Sequence, residues 1–140
     1  MAKEKCKCKN YPVNNDREKN DLNKREVGYK YEDAAAAYLV NQGYRILKRN
    51  YRTRSGEIDI IAESPEGVLV YCEVKYRHDG SCGTPFEAVG YAKRCRISRT
   101  AMWHYTMNHY GDDKKCRFDV IGIYGDGRIE HIENAFDLCR

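Results

Sequence analysis

An α/β fold built on a mixed β-sheet is what this sequence predicts, and three observations predict it. Segments with helical and strand character follow one another as helix, three strands, helix, two strands. The 140 residues suit a single domain able to bury a sizeable core, and 41% hydrophobic with 33% charged residues is a soluble globular composition. No apolar run approaches the roughly 18 residues of a membrane span, so no membrane partner is expected.

Residues 1–25 are rich in Lys, Asn, Asp and Glu, with Val13 and Leu22 almost their only aliphatics. Such a segment cannot bury enough apolar surface to offset its ordering entropy, so it reads as a polar flexible tail. One domain over residues 26–140 remains. The basic start has no apolar stretch behind it, so no secretory signal is expected and the protein is assigned to the cytoplasm. The seven cysteines are an odd number without a C-x-x-C pair; Cys6 and Cys8 form a C-x-C, and His104 and His109 have no metal-ligand spacing. Neither a disulfide framework nor a zinc site is expected.

The alanine run in "YKYEDAAAAYLVNQGY" predicts a first helix over about Tyr29 to Gln42, ended by Gly43, the residue type that closes helices in the left-handed conformation. "YRILKRNYR" alternates imperfectly and predicts a strand with a basic end. In "TPFEAVGYAKRCRISRTAMWHYTMNHYG", Thr84 and Glu87 form a capping box with Pro85 at the first helical position. A long second helix should therefore run from Thr84 to about Tyr110. On a helical wheel Phe86, Ile97, Ala101 and Tyr105 share one side, beside a basic stripe of Lys93, Arg96 and Arg99. "CRFDVIGIY" and "RIEHIE", joined by "GDG", predict the closing strand pair.

The chemistry lies in the hairpin "GEIDIIAESPEGVLVYCEVK", residues 56–75, where Glu57, Asp59, Glu73 and Lys75 interrupt the two most apolar runs of the chain. Register decides whether they meet. A two-residue turn at Pro65 and Glu66 would pair Asp59 with Cys72 and send Asp59 and Glu73 to opposite faces. A three-residue loop with Gly67 left-handed pairs Ser64 with Val68, so that Asp59 faces Glu73 and Glu57 faces Lys75. Pro first and Gly last suit the longer loop. Ile58, Ile60 and Ala62 would then form one core face with Val70, Cys72 and Val74, while Ile61 and Tyr71 share the charged face. Two facing carboxylates repel unless a cation separates them, and Mg²⁺, which takes a few carboxylate and water oxygens, is the natural one. The competing reading is the solvated face of an amphipathic hairpin, with cross-strand charge pairs.

G-E-I-D followed about a dozen residues later by E-V-K resembles the PD-(D/E)xK nuclease signature. Together with "GYKYEDAAAAYLVNQGYRILKRNYRTRSGEIDIIA", "VYCEVKYR", "GTPFEAVGYAKRCRISRTA", "RFDVIGI" and "HIENAF", it resembles the YraN-like family of endonucleases over about Gly28 to Phe136. The chain departs from that family at Tyr31, where a glycine is typical. The resemblance implies a restriction-endonuclease-like fold, a central mixed sheet flanked by helices. It implies a Mg²⁺ site, open to Mn²⁺, on Asp59, Glu73 and the Val74 carbonyl, with Lys75 near the attacking water. Glu32 matches an acidic position of the family and would join the catalytic set; as a helix-start carboxylate it is equally explained by the macrodipole. Glu87 also matches, but the capping box already accounts for it.

The expected reaction is hydrolysis of phosphodiester bonds in nucleic acid, DNA before RNA, by an enzyme able to act as a homodimer. Arg52, Arg54, Arg77, Lys93, Arg96 and Arg99 are the candidates for backbone contacts, and the net charge of +4 agrees with a polyanionic partner. Two rivals remain open. One is a module of the same fold that binds nucleic acid without cutting it. The other is a protein-interaction domain using a surface rich in the chain's twelve tyrosines.

Overall fold

The computed structural model describes residues 28, 30–77 and 89–139. The chain divides into two compact units, Met1–Lys30 and Tyr31–Arg140, and everything below concerns the second. The segment expected as a tail, the capping box of Thr84 and Glu87, and Cys6, Cys8 and Cys82 lie outside the described residues.

Helix α1, residues 31–41, opens the unit. Its stripe of Ala35, Ala36 and Leu39 is buried, and it closes as the glycine at its end predicts. Gly43 takes φ 88°, and the Tyr44 and Gly43 N–H groups donate to the Leu39 and Val40 carbonyls at 2.9 and 3.0 Å, a Schellman closure. Three antiparallel strands follow, β1 (Arg45–Thr53), β2 (Gly56–Glu63) and β3 (Leu69–Arg77). Helix α2 (Tyr91–Met107) carries the chain across to β4 (Cys116–Tyr124), parallel to β3, and β5 (Ile129–Phe136) returns antiparallel. The sheet order is β1-β2-β3-β4-β5, so the α/β class and the order of elements are as expected.

The sheet has a core on each face. With α1 pack Ile60, Ala62, Val70, Cys72, Ile121 and Ile123. On the other face Ile97 and Ala101 of α2 meet Ile58, Ile61, Leu69, Tyr71, Phe118 and Val120. Fully burying an aliphatic of this size stabilises by about 1.5–3 kcal/mol, so the two layers dominate folding. In the α2-side layer the buried Tyr71 hydroxyl is bonded: it donates to the Ala101 carbonyl at 3.2 Å and lies 3.1 Å from His104 Nδ1.

Asp119 on β4 is wholly buried and held from several sides. Arg117 Nε donates to its Oδ1 at 3.0 Å, Asn134 N–H to the same oxygen at 3.0 Å, and His131 Nε2 lies 2.7 Å from Oδ2. Arg117 extends the network to the Tyr44 hydroxyl at 2.6 Å, tying the end of α1 to β4 and β5.

Two expectations need correction. The second helix does not run unbroken from Thr84, because Val89 and Gly90 are not helical and Gly90, extended at ψ 166°, is the N-cap. Glycine is a poor interior helix residue and serves here as the boundary. The helix also stops at Met107, before His109 turns left-handed at φ 55°. Second, Ile58 leaves the layer of Ile60 and Ala62 and packs on the α2 face. Gly56 faces α2 too, since a Cβ there would lie 3.2 Å from Arg96 Cβ. Side-chain alternation along β2 therefore slips by one residue between Ile58 and Ile60, and the residue at the slip is Asp59.

Candidate active site

The loop that sets the register is the three-residue one. Ser64 N–H donates to Val68 O at 2.9 Å, Gly67 N–H to Ser64 O at 2.9 Å, and Gly67 takes φ 85°. The ladder runs from Glu63↔Leu69 to Ile60↔Cys72 and stops there. Meanwhile β1–β2 pairing continues to Thr53↔Gly56 and β3–β4 pairing to Arg77↔Tyr124. Strands β2 and β3 thus part within an otherwise continuous sheet, and the acidic residues stand where they part.

Asp59 occupies the opening. Its Oδ2 accepts the Val74 N–H at 2.9 Å, a side chain taking a backbone donor where the ladder has ended. Glu73 follows Tyr71 on the α2 face of β3 and its side chain is only 4% exposed. Lys75 Nζ and Lys93 Nζ, from β3 and α2, approach the same oxygen, Oε1, at 3.3 and 3.4 Å. The other oxygen, Oε2, is buried without a hydrogen-bond partner, and so is Oε2 of Glu32 on α1. Buried carboxylate oxygens are nearly always bonded, so two orphans beside one another's charges are unusual.

Electrostatics follow from this placement. Burial, then the Glu73 charge, raise the Asp59 carboxyl from its ordinary 3.8 to about 8, against the Val74 N–H that favours its charged form. Burial likewise raises Glu32, with Glu57 and Glu73 adding to the rise, while an Asn50 hydrogen bond opposes it. Asn50 is itself left-handed, at φ 51° in the middle of β1, a conformation asparagine tolerates better than most residues. Tyr31, next to Glu32, stacks on Tyr76, next to Lys75, with ring centroids 4.1 Å apart.

The sequence-predicted residues are thus partly assembled. Asp59, Glu73, Lys75, Glu32 and Val74 come together. Glu57 does not face Lys75: the ladder has opened three pairs earlier, and Glu57 instead pairs with Arg52 across β1–β2 at 3.3 Å. Of the basic candidates, Lys93 reaches Glu73, Arg96 packs on Gly56, and Arg54 and Arg99 lie on a groove beside α2. Arg77, at the end of β3, keeps a buried Nε without a hydrogen-bond partner. Sequence reasoning missed Asn50, whose left-handed turn has no local signal, and Lys93 as a partner of Glu73, which depends on where α2 docks.

The fit to a divalent cation can be tested on the donors present. Among the described residues no three His, Cys, Asp or Glu side chains already converge at metal-holding distance. The side chains available are the carboxylates of Asp59 and Glu73 and the orphan Glu32 oxygen. That matches Mg²⁺, which is bound by one or two carboxylates and completes its octahedron with water, better than a metal needing a soft or closed protein cage.

The uncharacterised protein family UPF0102 matches residues 31–123. Similar chains include UPF0102 proteins of Lachnoclostridium phytofermentans, 46% identical over 83% of this chain and 97% of that one, and of Alkaliphilus oremlandii, 47% identical over 80% and 98%. The UPF0102 protein of Pelobacter propionicus is 46% identical over 82% and 85%. Among solved structures, SfsA of Pyrococcus furiosus in complex with Ca²⁺ covers 79% of this chain and 63% of that one, at 15% identity and a TM-score of 0.29, too slight a likeness to argue from.

Proposed function

The chain belongs to the uncharacterised protein family UPF0102, and we propose that it is a metal-dependent nuclease of restriction-endonuclease-like fold that hydrolyses phosphodiester bonds, with DNA the favoured substrate. One observation carries the reading: Glu73 and Glu32 each keep a buried carboxylate oxygen without a partner, around an Asp59 carboxyl raised to about 8. A folded protein holds such acids together against their repulsion where a cation is to satisfy them.

Asp59 and Glu73 would hold Mg²⁺, with the Val74 carbonyl and the free Glu32 oxygen as further donors. The ion, when bound, supplies polarisation of a phosphate oxygen and acidification of a bound water. Lys75 remains beside Glu73, its ammonium 3.3 Å from Oε1, where it can orient a water or meet charge developing on the phosphate. Lys93 reaches the same oxygen from α2 at 3.4 Å, so a cation would remain beside Glu73 if Lys75 turned to the substrate.

The test is incubation with linear, nicked, flapped and four-way-junction DNA and with RNA, in Mg²⁺, Mn²⁺ and EDTA. Metal-dependent cleavage is expected, abolished by EDTA and lowered by about 10²–10³ in Lys75→Ala, the loss typical of removing one charge-stabilising donor. A folded wild-type protein that cleaves none of these substrates with either metal would overturn the proposal.

A further inference from the structure

Lys93, Arg96, Thr100 and Trp103 are spaced three and four apart and form one stripe along α2, exposed at Arg96 and Trp103 and interrupted at Thr100, which is wholly buried. The stripe begins where Lys93 meets Glu73. It passes Gly56, where Arg96 Cβ and Thr100 Oγ1 lie 3.2 and 3.4 Å from the position a Cβ would take, and ends about 15 Å further on at 1.5 Å per residue. There Trp103 stands 56% exposed. Opposite runs the β1–β2 turn. Between them lies an open groove of ≈ 870 Å³, walled by Arg52, Arg54, Arg99, Met102 and Trp103 among others, with no acidic side chain in its lining. Arg54 and Arg99 form no ion pair with any described residue, and only Arg52 is engaged, with Glu57.

Three guanidinium groups around a solvent-facing indole ask for a ligand that is both anionic and flat. A duplex offers phosphates but hides its base faces, and an acidic peptide carries a flat ring only where an aromatic residue interrupts its charges. Unpaired nucleotides offer both, and basic grooves with aromatic platforms are how single strands are held. We infer that this groove binds a single-stranded stretch of nucleic acid, a base stacked on Trp103 and phosphates on Arg52, Arg54 and Arg99. Binding in the groove, whose lining shares no residue with the acidic cluster, does not rest on the nuclease reading.

Trp103 is the chain's one tryptophan, so its fluorescence reports on the groove alone. The wild-type protein is titrated in EDTA with a single-stranded oligodeoxynucleotide of about a dozen nucleotides, a length within single-strand site sizes, with its RNA counterpart, and with a blunt duplex. Quenching by a single strand is expected, weaker for duplex, with affinity falling steeply as salt rises. By anisotropy of a labelled strand, Trp103→Leu should bind about tenfold or more weakly, the usual loss for one stacking platform, and Arg99→Ala should show a shallower salt dependence. Stronger quenching by the DNA or the RNA strand identifies which nucleic acid the groove takes. The inference is overturned if neither strand quenches, if Trp103→Leu binds as well as wild type, or if fluorescence changes only with protein concentration, as self-association through this face would give. Quenching without metal-dependent cleavage keeps this inference and overturns the nuclease; cleavage of duplex without quenching does the reverse.

Discussion

Glu73 and Asp119 are buried acids on neighbouring strands, and the fold treats them in opposite ways. Asp119 is wholly buried, yet both its oxygens are bonded, to Arg117, His131 and the Asn134 amide. Glu73 gives one oxygen to two lysines and leaves the other bare, with the half-buried Asp59 and the Glu32 carboxyl nearby. A cluster that exists to hold strands together satisfies its charges internally. One that leaves oxygens unsatisfied is where the proposed cation would bind.

The comparison can be broken most sharply at Asp119. Asp119→Ala should lower the unfolding free energy by about 3–5 kcal/mol in denaturant titrations, because Arg117 loses its compensating carboxylate and His131 and the Asn134 amide lose a hydrogen-bond partner. A loss below about 1 kcal/mol would mean that this network is not structural. The opposite sign is expected at the other cluster. Asp59→Asn keeps an acceptor for the Val74 N–H but removes a charge the site disfavours, so at pH 8 and above it should stabilise the metal-free protein by about 1–2 kcal/mol.

The pH dependence sharpens that contrast. With the Asp59 carboxyl raised from 3.8 to about 8, the folded protein holds a proton there that the unfolded chain has already lost. Stability should therefore fall as pH rises from about 4 to about 8 and level off above, and Asp59→Asn should remove that slope from melting curves. Mg²⁺ competes with the same proton, so it should raise the melting temperature more at pH 9 than at pH 6. The smallest effect is at Gly67, whose φ of 85° disfavours any side chain although no neighbouring atom lies within 4 Å of a Cβ there. Gly67→Ala should cost about 1 kcal/mol, and a much larger loss would mean the loop itself supports the acidic cluster.

Local chemistry made part of this legible from sequence. Pro65 and Gly67 specify a loop through their own backbone preferences, and Gly43 specifies a helix end; both are as expected. What could not be read depends on neighbours distant in the chain. β2 and β3 part where β1 and β4 keep their pairing with them and α2 packs on Gly56, partners the hairpin's own residues do not specify, so the slip at Asp59 and the Arg52–Glu57 pair left no trace in the hairpin itself. Asp119 illustrates the same limit from the other side. In "RFDVIGI" it looks as out of place as Asp59 does in "GEIDIIA", and only Arg117 and His131 closing on it distinguish the two.

The two left-handed asparagines within strands have a consequence beyond the clusters they serve. Asn50 and Asn134 lie on β1 and β5, the borders of the described sheet, at φ 51° and 50°, and each border also carries a register shift. A straight row of unused amides along such a border would be a template on which another copy's strand could add, the first step toward a fibre. The register shift and the left-handed asparagine on each border strand interrupt that row among the described residues.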